Sequence, residues 1–169
     1  MNVEAFLLLL GSVLVYGDSP INKARYPAAD ITCPLPYKAV GGRCILFAVA
    51  EAGAWHDMGY FCETLGGKLV VIDDSTFMEA LTDYILDGEF STTEFWIGAT
   101  DEVTEGVWKW VNGKTVRMRM PLWLTCSDDQ EPNGGSAENC LAITGDHNYY
   151  FVDADCALEM NPICEYTVL

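Results

Sequence analysis

Four side chains with oxygen ligands occur within residues 131–153: Glu131, Asn133, Glu138 and Asp153. The first three lie on one stretch that a proline and two glycines shape, and Asp153 precedes Cys156 by three residues. Calcium takes six to eight oxygen ligands, mainly from carboxylates, amides and carbonyls. The cluster therefore predicts a calcium site, although an acidic loop exposed to solvent would have a similar composition.

The sequence offers no comparable set of residues for catalysis. His56 and His147 are isolated, so neither belongs to a recognisable zinc motif. No serine occupies the sharp strand-to-helix turn that exposes a hydrolase nucleophile. We therefore expect a binding protein and not an enzyme.

The amino terminus and the cysteines both indicate secretion. Residues 6–16 form a run of apolar and small residues that is too short to span a bilayer and gives way to polar residues after Gly17. Residues 1–17 are therefore predicted to be a signal peptide, which makes the protein extracellular with no membrane span. Seven cysteines in a secreted chain would form three bridges and leave one thiol over.

Charge and length restrict the function further. The formal net charge of −16 argues against nucleic acid as a partner, because the chain would repel the phosphate backbone. Acidic side chains suit a hard cation such as calcium, or they simply keep a surface soluble. The chain of 169 residues is long enough for one core and too short for two ordinary domains.

Periodicity and capping residues predict the elements of the first half. Residues 18–32 contain two prolines and show no period, which is typical of a tether. Apolar residues at helical spacing predict a first helix over 51–65. A buried strand over 68–72 is followed by capping residues and a second helix. The core stripe of that second helix is Phe77, Leu81 and Ile85.

After residue 88 the pattern changes to short strands. They are predicted over 95–99, 107–111, 116–120, 141–144, 149–153 and 163–166. Asn112 and Gly113 predict a tight hairpin between the second and third of these strands. Alternation in the hairpin predicts a buried face and a basic face, whose bases could meet anionic glycans or remain solvated. The four bases are Lys109, Lys114, Arg117 and Arg119. Residues 121–136 are predicted to form a long functional loop.

Several motifs, taken in order, carry a resemblance to a known family. They are Glu131-Pro132-Asn133, Glu138-Asn139 before Cys140, Asp153 three residues before Cys156, WIGA at 96–99 and the frame from Cys62 to Cys164. Together they resemble the C-type lectin domain over residues 33–166. The resemblance implies an α+β domain in which two helices flank small antiparallel sheets, with a long calcium-binding loop and stabilising disulfides.

The resemblance also implies bridges, metal ligands and a ligand class. The bridges would be Cys33–Cys44, Cys62–Cys164 and Cys140–Cys156. The primary calcium ligands would be Glu131, Asn133, Glu138 and Asp153, and the sugar contacts would be Glu131, Asn133 and Glu138. In such a site the sugar hydroxyls that ligate the ion also exchange hydrogen bonds with its protein ligands. Pro132 matches a cis proline, and the Glu-Pro-Asn order resembles lectins for mannose, glucose, N-acetylglucosamine and fucose.

One residue departs from the family pattern, and one further stretch matches an auxiliary site only in part. Val152 stands where the family has an asparagine ligand, which predicts weaker calcium and sugar binding. The stretch 100–106 resembles family members with an auxiliary calcium, for which Asp101 and Glu105 would be ligands. Gly134 and Asn139 replace two acids of that auxiliary site.

The sequence thus favours a calcium-dependent lectin, secreted as a soluble pattern-recognition protein that binds mannose-type sugars on microbial surface glycans. The alternative is an acidic extracellular matrix or mineral-associated protein that uses the lectin fold without a working sugar site, which Val152 favours. Cys126 has no partner in the bridges that the resemblance implies. It is predicted to form a disulfide-linked homodimer or to remain a buried thiol.

Overall fold

The computed structural model describes residues 31–88, 90, 94–119, 121–126 and 129–167, so the predicted signal peptide and nearly all of the predicted tether lie outside it. Within these residues the chain forms two α-helices and ten strands. The helices are α1 (Trp55–Thr64) and α2 (Ser75–Asp87). The strands are β1 (Lys38–Val40), β2 (Arg43–Phe47), β3 (Gly67–Leu69), β4 (Glu94–Thr100), β5 (Lys109–Trp110), β6 (Thr125–Cys126), β7 (Asp129–Gln130), β8 (Cys140–Thr144), β9 (Phe151–Ala154) and β10 (Asn161–Tyr166). Neither helix is long and apolar enough to cross a bilayer.

One eight-stranded sheet organises these elements. Its main order is β1-β2-β10-β4-β8-β9, with β3 paired to β10 and β5 paired to β4. The β10–β4 pair is parallel and the other pairs are antiparallel. β6 and β7 form a separate two-stranded ribbon. The predicted α+β class with mainly antiparallel strands is therefore confirmed.

The second helix follows its sequence signals closely. The Asp74 side chain accepts a hydrogen bond of 2.7 Å from the Phe77 N–H, which satisfies one of the free donors at the start of α2. Phe77, Leu81 and Ile85 are buried, as their helical spacing predicts. Gly88 occupies the C-cap position.

The first helix begins four residues later than its apolar period predicts. Gly53 exchanges two backbone hydrogen bonds of 3.2 Å with Met160, which immediately precedes β10. This pairing holds the residues just before the helix in an extended conformation, and the N-cap residue Ala54 is also extended. Tertiary pairing thus replaces the first predicted turn. The helix buries Trp55, Met58 and Cys62.

The core consists of two apolar clusters that meet at β4. Phe95 and Ile97 belong to one cluster and Trp96 to the other, as alternation along a strand requires. At Gly98 an added Cβ would meet the carbonyl oxygen of Leu69, and the Gly98 N–H donates to the Val70 carbonyl at 2.8 Å. The close passage of these two backbones requires a residue without a side chain, which explains the glycine of the WIGA motif.

The predicted hairpin forms its turn but not its second strand. Gly113 has a φ of 82°, and Lys109 bridges Thr115 across the turn. The strand predicted over 116–120 is wrong, because residues 116–119 form no ladder with a described strand and Met118 is 41% exposed. Period-two alternation specifies a strand only where a neighbouring backbone pairs with it. The buried side chains of this region are Trp108, Trp110 and Val116.

Three disulfides connect the sheet with the elements around it. They join Cys33 to Cys44, Cys62 to Cys164, and Cys140 to Cys156, so the pairing implied by the resemblance is confirmed. The second ties α1 to β10, and the third ties the start of β8 to the chain just after β9. Each such bond contributes roughly 2–4 kcal/mol by restricting the unfolded chain.

Candidate functional site

The predicted long loop is folded against the β8–β9 edge of the sheet. The ribbon of β6 and β7 lies within it, and a 3₁₀ turn occupies Gly135–Ala137. The Glu131 N–H donates to the Leu124 carbonyl at 3.0 Å, while the Leu124 N–H donates to Phe151 of β9 at 3.0 Å. The Glu131–Pro132 peptide bond is cis, as the resemblance implied.

Asp153 of β9 holds the tip of this loop. Its two carboxylate oxygens accept hydrogen bonds from the Asn133 N–H at 3.1 Å and from the Gly134 N–H at 2.8 Å. The Asn133 side-chain amide donates to Glu131 Oε1 at 3.0 Å. Three of the four predicted primary ligands are therefore joined in one network, although Asp153 lies 20 positions after Asn133 and 22 after Glu131.

Glu138 completes the group. It packs against Gly134, where an added Cβ would overlap Glu138 Cβ and Oε2. Burial first, and then the charges of Asp153 and Asp155, raise the pKa of the Glu138 carboxyl above its ordinary value. Asp155 is a contributor that the sequence analysis missed. The sequence feature that could have identified Asp155 is its position two residues after Asp153, because alternate side chains lie on the same side of an extended chain.

Asp101 is buried close to the same carboxylates. The residue is only 3% exposed, and its N–H donates to the Asn139 carbonyl at 3.2 Å. Its Oδ2 accepts a hydrogen bond of 2.8 Å from the Gly106 N–H, whereas its Oδ1 is buried with no hydrogen-bond partner among the described residues.

The pKa of the Asp101 carboxyl also reflects its burial and its acidic neighbours. Burial is the main cause of a raised pKa at Asp101, and the charges of Asp153 and Glu102 add to it against two backbone hydrogen bonds that lower it. A buried carboxylate oxygen without a partner is costly. A nearby cation would offset both this cost and the repulsion from Asp153.

The other predicted auxiliary ligand stands apart from the group. Glu105 is exposed and makes no hydrogen bond or ion pair with a described residue. At position 134 the Glu138 side chain fills the space that an acid would need. The structure therefore brings Asp101 to the carboxylate group and leaves Glu105 outside it.

Val152, the departure from the family pattern, belongs to the packing of the domain. It is 7% exposed and lies in the apolar cluster that contains Trp96 and Leu124. Its cross-strand neighbour in β8 is Ala142. Because side chains alternate along a strand, Val152 and Asp153 point to opposite sides of β9. Position 152 supplies buried surface here and no ligand oxygen.

The donors in this group suit a hard divalent cation. Glu131, Glu138 and Asp153 offer carboxylates and Asn133 offers an amide oxygen, which are calcium ligands and not the nitrogen and sulfur ligands of zinc. A different cluster joins Glu102 with Cys140 and Cys156, but these two sulfurs form a disulfide and supply no thiolate. His56 Nε2 lies 2.9 Å from Glu102 Oε2 and is paired outside the group.

Comparisons with known proteins agree with the fold and identify the family. The lectin C-type domain family model matches residues 51–166. A perlucin-like protein of Mytilus galloprovincialis is 30% identical over 137 residues, which are 80% of this chain and 84% of that protein. The hepatic lectin of Gallus gallus is 33% identical over 129 residues, and the alignment covers 73% of this chain and 55% of the hepatic lectin.

A solved structure gives the same result. The carbohydrate-recognition domain of the mouse scavenger receptor C-type lectin superposes with a TM-score of 0.62 at 28% identity, covering 79% of this chain and 97% of that domain. The chain belongs to the C-type lectin domain family. This is a family of carbohydrate-binding domains and not of enzymes, so the expectation of a non-enzymatic binding protein is confirmed.

Proposed function

We propose that this protein is a secreted lectin that binds mannose-type sugars through calcium at the group formed by Glu131, Asn133, Glu138 and Asp153. The observation that carries the proposal is the Asp153 network, which holds the Glu-Pro-Asn segment against β9 with Glu138 beside it. Bound calcium would supply a Lewis acid whose open coordination positions accept two vicinal sugar hydroxyls. Microbial surface glycans that present such hydroxyls are the proposed natural ligands.

The protein groups define which hydroxyls fit. The Glu131 carboxylate can only accept a hydrogen bond, while the Asn133 amide can also donate one. A sugar with two equatorial hydroxyls, as in mannose and glucose, must match this arrangement of acceptor and donor. Pro132 and the Asp153 hydrogen bonds to the two loop amides fix the backbone that carries both side chains.

Affinity chromatography and a matched exchange test this proposal. The wild-type protein should bind mannose resin in calcium and elute with a chelator or free mannose, and it should bind galactose resin less tightly. The double variant Glu131→Gln with Asn133→Asp exchanges the acceptor and donor positions, so it should weaken or invert this preference. Thr125→Ala on the same loop is the control. Tighter binding to galactose than to mannose by the wild type at equal calcium would refute the proposed specificity.

A second candidate function keeps the fold but not the sugar. Val152 is packed in the apolar core and offers no oxygen, which favours an acidic extracellular matrix or mineral-associated protein. Such a protein would bind calcium without sugar. Isothermal titration separates the two functions, because this candidate predicts heat on adding calcium and none on adding mannose to the calcium-saturated protein.

We also propose a disulfide-linked homodimer through Cys126. The three bridges use six of the seven cysteines, and Cys126 lies in β6 with its thiol outside the described part of the structure. Non-reducing electrophoresis should show a dimer that a reductant converts to monomer. The variant Cys126→Ser should run as a monomer without reductant, and a persisting disulfide dimer would exclude this cysteine as the link.

A further inference from the structure

The basic residues of this acidic chain are concentrated at one place. Two adjoining clefts share Asp73 and Lys114 in their linings. Four of the nine lysines and arginines of the chain line them. These four residues, Arg43, Lys68, Lys114 and Arg117, are called the basic cleft below. The acids that line the same clefts are Asp73 and Glu165, so the local balance is positive in a chain whose formal net charge is −16.

The charges in the basic cleft are only partly neutralised. Arg43 lies 2.9 Å from both Asp73 and Asp74, so its charge is largely used within the fold. Lys114 is 68% exposed and reaches Asp73 only at 3.4 Å. Arg117 is exposed and makes no hydrogen bond or ion pair with a described residue. The two residues around the turn therefore retain donors for an incoming anion.

The acid at the centre of the basic cleft reports the local potential. Although burial of Asp73 acts in the opposite direction, the hydrogen bond and charge of Arg43, together with the hydrogen bond from Lys114, keep the pKa of its carboxyl below the ordinary value. An anion placed between Lys114 and Arg117 would be attracted by these two bases and repelled by Asp73, which lines the same part of the cleft. Lysine contacts an oxyanion as a point charge and arginine can contact it through two parallel N–H groups.

The shape of the cleft suits a small group on a larger molecule. The part lined by Lys114, Thr115 and Arg117 has a volume of about 320 Å³, and Trp110 also lines it. This volume is at the lower end of the range for small-molecule pockets. The Thr115 hydroxyl and the neighbouring Asn112 amide can form hydrogen bonds with sugar hydroxyls. None of the lining residues belongs to the proposed calcium group.

We propose that the basic cleft binds the sulfate or carboxylate groups of acidic polysaccharides, and that it does so without calcium. The protein then has two independent glycan contacts, one for neutral vicinal hydroxyls and one for anionic substituents. A long polyanion with closely spaced charges, such as nucleic acid, fits poorly because the chain as a whole has a formal net charge of −16 and repels it. A polysaccharide with separated anionic groups places one charge in the cleft and neutral sugar around it.

Binding to three polymers with one backbone tests the proposal. Dextran, lightly substituted carboxymethyl-dextran and lightly substituted dextran sulfate, in which the charges are well separated, would be titrated into the full-length protein with a chelator present at about 0.15 M salt, where surface charges act over about 8 Å. We expect no binding to dextran and binding to the charged forms that weakens as salt is raised. The stronger of the two charged forms identifies the anionic group. Absence of binding to both would overturn the proposal, and the chelator makes this result independent of the calcium site.

Variants locate the contact. Lys114→Ala with Arg117→Ala should weaken binding by about tenfold or more, whereas Lys38→Ala, which removes an exposed base on β1, should leave it unchanged. Asp73→Asn should strengthen binding, because it removes the acid inside the cleft. The melting temperature of each variant shows whether it is folded. Equal losses in the double variant and in Lys38→Ala, or equally tight binding of single-stranded DNA and dextran sulfate, would show a general charge effect and refute the assignment.

Discussion

At the scale of single residues, position 152 links packing with the proposed function. Val152 fills part of the apolar cluster behind β9, while Asp153 next to it holds the loop of the proposed calcium site. A substitution at position 152 is therefore expected to change the stability of the fold and the affinity of the proposed site for calcium through different contacts. This separation allows the two effects to be measured independently.

The variant Val152→Asn is expected to lower the stability of the calcium-free protein by about 1–3 kcal/mol, because it buries an amide in an apolar cluster. The resemblance to the family predicts that the amide oxygen becomes a calcium ligand, so calcium and mannose affinity should rise together. Thermal unfolding with and without calcium, followed by calorimetric titration, measures both effects. Val152→Ala is the control that removes packing without adding a ligand. Equal destabilisation with and without calcium would show that the introduced amide remains in the core.

Gly134 provides a second test at residue scale. Its φ of −77° and ψ of −12° suit any residue, so an alanine there causes no backbone strain. The added methyl group would instead displace the Glu138 side chain. Gly134→Ala should therefore weaken calcium binding severalfold, and it should also lower the stability of the calcium-free protein by about 1–3 kcal/mol, because Glu138 Cβ can move away only together with its backbone. Calcium titration of Gly134→Ala and of Ser136→Ala, an exposed neighbour, tests this. Unchanged calcium affinity in Gly134→Ala would remove Glu138 from the ligand set.

At the scale of elements, the site depends on how β8 and β9 are held. The Cys140–Cys156 disulfide closes one end of this pair, and Leu124 connects the long loop to Phe151 of β9 and to Glu131. The turn with Asp101 joins the same end through Asn139. Three separate segments are therefore fixed to one strand pair, which keeps the carboxylates close despite their mutual repulsion.

The start of α2 offers a stability test away from the site. Asp74 caps the helix through the Phe77 N–H and also lies 2.9 Å from Arg43. Asp74→Ala should lower the free energy of unfolding by about 1 kcal/mol, mostly through the lost cap. Denaturant unfolding measures this change. Asp83→Ala is the matched control, because it removes an acid from the same helix without touching its cap. A similar loss in both variants would indicate a general charge effect and not a cap.

At the scale of the whole molecule, we expect calcium binding at the proposed site to depend on pH. Asp101 and Glu138 have raised pKa values, so each binds a proton more tightly in the folded than in the unfolded protein. Lowering the pH from about 7 to about 5 should therefore favour the calcium-free fold through these groups. Protons compete with calcium for the same carboxylates. The lowered pKa of Asp73 acts only near and below the ordinary carboxyl range of about 4, outside this window.

The expected result is a calcium-induced rise in melting temperature that is largest near pH 7 and shrinks toward pH 5. Differential scanning fluorimetry at a series of pH values measures it. An imidazole also changes its charge in this range, and His56 pairs with Glu102 next to Asp101. His56→Gln is therefore the control. A pH dependence that disappears in this variant would assign the effect to the histidine and not to the carboxylates.

The sequence alone determined the local elements and the identity of the motifs. The caps and apolar spacing of α2, the cluster of oxygen ligands around residues 131–153 and the ordered family motifs all depend on residues close together in the chain. These features predicted the α+β class, and the resemblance supplied the three bridges. Short-range signals of this kind are readable because backbone geometry fixes which neighbours share a face.

Tertiary structure alone decided the features that depend on pairing between distant segments. Gly53 pairs with Met160 and shortens α1, and no described strand pairs with residues 116–119, so the predicted strand there does not form. Contacts between distant segments also bury Val152 and bring Arg43 and Lys114 to Asp73. The charge of Asp155 helps to raise the pKa of Glu138 because the fold places these two residues close together. Alternation and spacing state which side chains could be buried or paired. The backbone partners and charges that select among these possibilities come from elsewhere in the chain, and only the folded sheet brings them together.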